Sequence, residues 1–199
     1  MRQRVRYIAG ASGTGTSTRA LELQRAWSSH ADARPCIVLA TDVIRAQLRT
    51  ALAASDAPDL FGESFNLPHA PGDEVVDDVS LTAFERQCSP VVRAVDAGVA
   101  YALTEGWNVI VEGVHLVPGM LDMPATDAVD VTYELLVVVD SAEHLRRLRS
   151  RDAASDGRRP FAHYERNLDR IHAVQRHLAA RFDAWQDDAA DLGVTILGG

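Results

Sequence analysis

The chain has 199 residues, 47% of them hydrophobic and 24% charged, a composition typical of a globular protein that buries a substantial core. Its formal net charge is −8 and its basic residues form no stripe along the sequence, which argues against DNA or RNA as the main partner. Cys36 and Cys88 belong to no metal-ligand pattern and no apolar run reaches the ~20 residues of a membrane span, so we expect a cytoplasmic protein with neither zinc nor a disulfide framework.

The first part of the chain alternates short apolar runs with helical patterns. Residues 5–10 predict a strand that ends in a glycine, and residues 36–41 predict a second, buried strand. The stretch between them, 16–29, has the apolar spacing of a helix, and a further helix is predicted over 42–52. Residues 53–80 are rich in Ala, Asp, Pro and Gly without a sustained period, which indicates an irregular loop or short helices.

The rest of the chain continues the alternation. Apolar residues at steps of three and four predict a long helix over 81–105, with a kink or break near Pro90. A helix is predicted from Ser141, and a last long helix carries an apolar stripe from Tyr164 to Trp185. Three more strands are predicted, at 107–113, 133–140 and 193–197.

The order of these elements predicts the fold class. Five continuously apolar strands alternate with helices, which indicates strands that are covered on both faces. The sequence therefore predicts an α/β fold with a five-stranded parallel sheet and helices on both faces. Because no internal repeat and no flexible linker marks a boundary, we expect a single domain over residues 1–199.

The stretch GASGTGTST, residues 10–18, lies between the first predicted strand and the first predicted helix. Glycines at positions 10, 13 and 15 let the backbone curl so that its N–H groups point at one centre, and the helix that follows offers its positive end to an anion. In this strand–loop–helix context the pattern predicts a phosphate-binding loop. Ser17 occupies the place of the hydroxyl that coordinates Mg²⁺ in nucleotide kinases, although it could instead cap the helix.

Position 16 of this loop is a threonine, where a lysine that reaches the β- and γ-phosphates is expected. A hydroxyl donates one hydrogen bond but carries no charge, so an active enzyme would need a positive group from elsewhere in the chain. Arg19 lies one turn into the helix, and four arginines cluster after the fourth predicted strand: Arg146, Arg147, Arg149 and Arg151. That cluster could equally be the solvated face of an amphipathic helix.

Five stretches of the sequence resemble one protein family: GASGTGTST, LATDVIRAQLR, FERQCSP followed by AVDAG, VIVEGVHLVPG, and HYERNLDRIHAVQRHL. They are similar, in order from about Val5 to Leu178, to the archaeal-type 2-phosphoglycerate kinases, and EGVHLVPG is the most specific of them. That family comprises P-loop kinases, members of the P-loop NTPases with a fold like the nucleoside monophosphate kinases. Its members make 2,3-bisphosphoglycerate from 2-phosphoglycerate and ATP.

The resemblance implies roles for the loop and for two acidic residues. Nine consecutive residues would hold the nucleotide phosphates: Gly10, Ala11, Ser12, Gly13, Thr14, Gly15, Thr16, Ser17 and Thr18. Asp42 would contact Mg²⁺ together with Ser17, or would act on the acceptor hydroxyl as a general base, unless it only caps its helix. Glu112, at the end of the third predicted strand, would hold metal-bound water and take part in catalysis.

The resemblance also implies an acceptor site. Arg45 and Arg49 follow Asp42 on one side of the same predicted helix, where they could bind an acidic substrate group or form ordinary surface charge. Arg86 is a further candidate for substrate binding. His115 could bind substrate phosphate or could stabilise its own loop.

The long stretch 53–80 is expected on the acceptor side, and residues 141–160 are expected to form a lid. Within that lid Arg147 and Arg151, one turn apart, would close over the transferring phosphate and contribute to catalysis, because the guanidinium fork suits phosphate oxygens.

Together these features predict a small-molecule kinase that uses ATP or GTP with Mg²⁺. Its acceptor would be a small, anionic, hydroxylated molecule such as 2-phosphoglycerate, or another biosynthetic intermediate such as a nucleoside. The absence of lysine at position 16 leaves two alternatives open: a nucleotide-binding or regulatory protein that retains the fold without transfer, and a nucleotide hydrolase. We expect neither a nucleic acid nor a membrane as a partner, and a homodimer remains open.

Overall fold

A computed structural model describes residues 2–29, 34–125 and 127–198 of the chain. In chain order, its helices and strands are β1 (Gln3–Ala9), α1 (Thr16–Ser28), β2 (Cys36–Ala40), α2 (Thr41–Ala51), β3 (Val75–Val76), β4 (Val79–Ser80), α3 (Leu81–Thr104), β5 (Asn108–Gly113), β6 (Val129–Leu135), α4 (Ser141–Ala154), α5 (Phe161–Arg166), α6 (Leu168–Asp191) and β7 (Thr195–Gly198). A single 3-10 turn, Pro58–Phe61, lies between α2 and β3.

The five long strands form one sheet in the order β2-β5-β1-β6-β7, and every neighbouring pair is parallel. Side chains of β1 alternate between the two faces of this sheet. Tyr7 packs on one face with residues of α3 and α6, and Ile8 packs on the other face with Ala20 and Trp27 of α1. The predicted five-stranded parallel sheet with helices on both faces is therefore confirmed.

One strand differs from its predicted position. The apolar run of residues 133–140 predicted a strand, whereas β6 covers Val129–Leu135 and ends before Val139, which is 89% exposed. The strand ends there because its partner β1 ends at Ala9 and turns into the glycine-rich loop. Beyond this point the side-chain amide of Gln175 replaces a neighbouring strand, accepting from the N–H of Val138 and donating to its carbonyl, both at 3.0 Å.

The sequence predicted a kink or a break near Pro90, and helix α3 continues through Pro90 without a break. A proline inside a helix removes one backbone hydrogen bond and costs about 3 kcal/mol. The helix nevertheless continues because it buries apolar side chains on both sides of the proline, among them Phe84, Cys88, Val91 and Val95.

The stretch between α2 and α3 contains little regular structure, as its composition predicted. The 3-10 turn is followed by a two-stranded hairpin that the sequence pattern did not indicate. Its turn residues Asp77 and Asp78 have φ values of 48° and 59°, the conformation that a tight antiparallel hairpin requires. Among the described residues no helix is both long and apolar enough to cross a membrane.

Candidate phosphate-binding site

The glycine-rich loop joins β1, the central strand, to the amino terminus of α1. Gly13 and Gly15 adopt φ values of 89° and 103°, which residues with a β-carbon rarely adopt, and Gly15 is the N-cap of α1. A β-carbon at Gly10 would overlap the hydroxyl of Thr14, which donates to the carbonyl of Ala11 at 3.0 Å. The loop is therefore a compact backbone turn that ends at a helix amino terminus.

Helix α4 supports this loop from one side. Nε2 of the buried His144 lies 2.8 Å from the carbonyl oxygen of Ser12, and Nδ1 lies 3.0 Å from Nε2 of His172. Since a carbonyl only accepts, His144 donates from Nε2 and accepts from His172 through Nδ1. Burial lowers the pKa of both imidazoles, which keeps this pair neutral. Sequence reasoning missed His144 because a single histidine in an arginine-rich helix carries no pattern.

Two consecutive hydroxyls at the start of α1 bind one carboxylate. Thr16 donates to Glu112 Oε2 at 2.7 Å, and Ser17 donates to Glu112 Oε1 at 3.0 Å. Glu112 is at the carboxyl end of β5 and is only 8% exposed. Burial raises the pKa of this carboxyl group, whereas the two hydrogen bonds lower it. Position 16 therefore faces a carboxylate, and its side chain is held by that contact.

Asp42 lies in the first turn of α2 and is exposed. The N-cap of α2 is Ala40, so Asp42 does not occupy the cap position that was its alternative assignment. Its side chain lines a cavity of about 50 Å³ together with the loop, and the remaining residues around that cavity are Glu112, Gly113, Val114, Arg151 and Arg159. Two acidic and two basic residues thus meet at the carboxyl edge of the sheet.

Arg151 is the most constrained of the basic residues at this cavity. Its guanidinium lies over the ring of Tyr164, with 4.3 Å between its central carbon and the ring centroid. Nε and Nη2 are buried without a hydrogen-bond partner, and burial lowers the pKa of the group. Buried donors without partners are costly, so this guanidinium has hydrogen-bonding capacity that the protein itself does not satisfy.

Arg159 is the second basic residue at the cavity, and the sequence did not single it out. It lies in the link between α4 and α5, and it also lines an adjoining cleft of about 480 Å³ between the start of α1 and α4. This cleft is bordered by the second half of the loop and by one face of α4. The two spaces share lining residues of the loop as well as Arg151 and Arg159, and they are together called the groove below.

The other arginines proposed as sources of positive charge have partners within the protein. Arg147 donates to the carbonyl of Thr14 at 2.9 Å and to Glu143 at 2.7 Å, so it holds the loop and also borders the larger cleft. Arg146 binds the same carboxylate. Arg19 donates to Glu134 at 2.8 Å. Arg149 lies over the ring of Phe161 and lines neither cavity.

The two arginines of α2 anchor the segment 53–80. Arg45 donates to the backbone carbonyls of Leu60 and Gly62, at 2.8 and 2.7 Å. Its Nε atom is buried without a partner, and burial lowers the pKa of its guanidinium. Arg49 lies over the ring of Phe61 on the surface. Both side chains therefore face the 3-10 turn, and neither lines the cavity at the loop.

Arg86 also binds this segment. Its guanidinium contacts Asp59 at 2.9 Å and Asp73 at 2.8 Å, and these bonds hold the pKa of the Asp73 carboxyl well below its usual range. With both carboxylates engaged, Arg86 crosslinks the two ends of the irregular stretch. The structure gives it an internal role where the sequence suggested substrate binding.

His115 is buried, and both of its ring nitrogens have partners. The amide nitrogen of Gln87 donates to two backbone carbonyls, so Gln87 Oε1 accepts from His115 Nε2 at 3.2 Å. Nδ1 then accepts from the hydroxyl of Thr41 at 3.0 Å. Burial lowers the pKa of His115 to about 4. The ring is neutral and has no nitrogen left for a substrate phosphate, which favours the alternative that it stabilises its loop.

Oxygen atoms suited to a divalent cation lie beside the loop. Ser17, Asp42 and Glu112 line the small cavity together, and carboxylates with hydroxyls are the donors that Mg²⁺ prefers. Within the part of the chain that the structure describes, no group of three His, Cys, Asp or Glu residues could hold a metal. Mg²⁺ is usually bound by one or two carboxylates plus substrate phosphates, and this donor set fits that mode.

Fold and site together define a class of protein: an α/β protein whose parallel sheet carries, at its carboxyl edge, a glycine-rich loop bordered by two carboxylates and two arginines.

Comparison with known proteins confirms the resemblance that the sequence predicted. A 2-phosphoglycerate kinase of Methanococcus maripaludis strain C6 is 30% identical over 179 residues, which cover 87% of this chain and 55% of that protein. The 2-phosphoglycerate kinase of Methanopyrus kandleri is 31% identical over 86% of this chain and 50% of its own length. The corresponding protein of Pyrococcus horikoshii is 29% identical, with 87% and 54% covered. The chain thus spans about half the length of the curated relatives it matches, and no protein-family model matches it.

Proposed function

We propose that this protein is a P-loop phosphotransferase that binds ATP or GTP and transfers the γ-phosphoryl group to a hydroxyl of a small anionic acceptor such as 2-phosphoglycerate. One observation carries the proposal: Arg151, whose guanidinium has two N–H donors without a partner, lines the same small cavity as the glycine-rich loop. Such an arrangement fits an anion with several oxygen atoms. The similarity to proteins named 2-phosphoglycerate kinase supports the choice of acceptor.

In this proposal, residues 10–18 hold the nucleotide phosphates through backbone N–H groups and the amino terminus of α1. Mg²⁺ would be held by Ser17 and the nucleotide phosphates, with Glu112 binding it through water, and it would neutralise charge on the phosphoryl group that moves. Segment 141–160 acts as the lid, in which Arg151 contacts the transferring group and Arg147 keeps the loop in place.

Asp42 is the general base of the proposed reaction. It accepts the proton of the acceptor hydroxyl while the hydroxyl oxygen bonds to the γ-phosphorus and the bond between the β- and γ-phosphates breaks, which releases the nucleoside diphosphate. Its exposed position at the start of α2, beside the small cavity at the loop, makes the carboxylate accessible to an acceptor hydroxyl. Arg45, anchored on that segment and carrying a buried Nε without a partner, positions the acceptor side.

A second candidate function is nucleotide binding without transfer. It is favoured by the contact between Thr16 and Glu112, because the residue at the position of the usual lysine is uncharged and is bound to a carboxylate. The two candidates differ in whether labelled phosphate reaches an acceptor.

The test is an acceptor screen with γ-labelled ATP and GTP in the presence of Mg²⁺. The panel contains 2-phosphoglycerate, other hydroxylated carboxylates and nucleosides. We expect labelled product with at least one anionic acceptor, a strong loss of turnover in Arg151→Ala, and near-normal turnover in the control Arg149→Ala, because Arg149 lines neither cavity. Nucleotide binding without labelled product from any acceptor would favour the second candidate, and release of free phosphate alone would indicate a hydrolase.

A further inference from the structure

The side chain at position 16 has a defined partner. Its hydroxyl donates to Glu112, and the same carboxylate accepts from Ser17, so both oxygen atoms of a nearly buried acidic group point at the start of α1. Loops of this kind carry a lysine at this position, whereas here the side chain is uncharged and its neighbour is a carboxylate. A nucleotide in the groove would bring further negative charge. A positively charged side chain from outside the loop is needed to balance the charges of Glu112 and of the phosphates.

Few positive groups are free to do so. Arg19 is bound to Glu134, and Arg147 is bound to Glu143 and to the loop carbonyl of Thr14. Arg151 is held over the ring of Tyr164. These contacts fix the three side chains before any ligand binds.

Arg159 differs from them in three respects. It is exposed, it borders both the small cavity and the larger cleft, and within the described ranges its guanidinium has neither a hydrogen bond nor a carboxylate within 4.0 Å. It is also near enough to Glu112 to favour the charged form of that carboxylate. Within the described ranges, Arg159 is thus an exposed cation without a charged partner that lines both parts of the groove.

The backbone around Arg159 is ordered by local contacts. Asp156 and Gly157 adopt φ values of 51° and 74°, which reverse the chain after α4. The N–H of Arg159 donates to Ser155 Oγ at 3.3 Å, and the N–H of Phe161 donates to Asp152 Oδ2 at 3.0 Å. The guanidinium of Arg159 therefore extends from a backbone turn that is fixed by its own hydrogen bonds.

Building on the proposed nucleotide binding, we propose that Arg159 supplies, from the turn between α4 and α5, the positive charge that the glycine-rich loop lacks at position 16. The ligand class is a nucleoside di- or triphosphate, whose terminal phosphates lie between Arg159 and the loop. Thr16 serves instead to hold Glu112. A consequence is specific to this arrangement: a cation at position 16 and a cation at position 159 are interchangeable.

The test uses four proteins in one set: the wild type, Arg159→Ala, Thr16→Lys, and the double variant. Arg158→Ala is the matched control, because Arg158 is the neighbouring exposed arginine, donates to the carbonyl of Ser155 and lines neither cavity. Dissociation constants for ATP with Mg²⁺ and for adenosine are measured by calorimetry, and circular dichroism verifies that each variant is folded.

We expect Arg159→Ala to weaken ATP binding by about ten- to a hundredfold, the value of a lost hydrogen bond to a charged group, and to leave adenosine binding unchanged. Arg158→Ala should change ATP binding by less than about twofold, as for an exposed charge away from the ligand. Thr16→Lys should restore most of the affinity lost in Arg159→Ala, while adding little to the wild type.

Equal ATP affinity in Arg159→Ala and Arg158→Ala would overturn this inference, as would the absence of restoration in the double variant. Both results leave the proposed function intact as long as the wild type binds ATP more tightly than adenosine. A wild type that binds neither ATP nor GTP would overturn the proposed function and this inference together.

Discussion

Replacing Thr16 by valine removes a single hydroxyl and keeps the shape of the side chain. Thr16 donates at 2.7 Å to Glu112, which is 8% exposed and has Ser17 as its other hydroxyl donor. A hydrogen bond to a charged group contributes about 1.5–3 kcal/mol, and valine and threonine have similar helix propensities. We therefore expect Thr16→Val to lower the free energy of unfolding by about 2 kcal/mol, because water can reach Glu112 only poorly.

For a chain of this length, 1 kcal/mol corresponds to a change of about 2–4 °C in melting temperature, so the expected decrease is about 4–8 °C. Scanning calorimetry at pH 7 without nucleotide measures it. Thr16→Ser keeps the hydroxyl and is the control, with an expected loss of less than about half of this value. If valine and serine variants melt together with the wild type, Thr16 does not hold Glu112 and the geometry argued for position 16 is wrong.

Three further predictions concern other parts of the structure. A β-carbon at Gly113, where φ is 136°, would overlap the hydroxyl of Thr41, so Gly113→Ala should cost at least about 2 kcal/mol in urea unfolding; a stable variant would contradict this. Burial raises the pKa of Asp96 from its ordinary 3.8 to about 6, so the folded protein holds this proton more tightly than the unfolded chain. As the pH rises from about 4 to about 6, the wild type should therefore lose stability relative to Asp96→Asn. Parallel curves of melting temperature against pH for the two proteins would refute the assignment. Arg86→Ala should make segment 53–80 more sensitive to limited proteolysis without weakening ATP binding, because Arg86 binds two aspartates of that segment; unchanged proteolysis would contradict its structural role.

The sheet could be predicted because most of its strands are recognisable from short stretches of sequence. Strands β2 and β5 consist mainly of apolar runs, β1 ends in the apolar residues 7–9, and the glycines of the loop follow β1 directly. The position of β6 could not be predicted in this way. Residues 137–139 are valines, but β1 has already turned into the loop at Gly10, so no neighbouring strand is available to pair with them.

The site likewise contains residues that the sequence could predict and residues that it could not. Asp42 lies in the first turn of α2, Glu112 near the end of β5 and Arg151 in the last turn of α4, and all three line one cavity at the carboxyl edge of the sheet. The sequence pattern did not indicate Arg159, because this residue lies in a turn between two helices and belongs to no periodic pattern. Arg86 and His115 contact residues that are distant in sequence: Asp59 is 27 residues from Arg86, and Gln87 is 28 residues from His115. A local sequence pattern cannot predict such contacts.

Binding of phosphates by residues 10–18 is the central claim, and a series of nucleotides tests it most directly. Calorimetric titration of the wild type with adenosine, AMP, ADP and ATP in the presence of Mg²⁺ gives one dissociation constant for each. If the loop and the arginines facing it bind the phosphate chain, ADP and ATP should bind at least about tenfold more tightly than adenosine, and added salt should reduce that difference. Equal affinities throughout the series would show that the protein does not recognise the phosphates and would contradict the account.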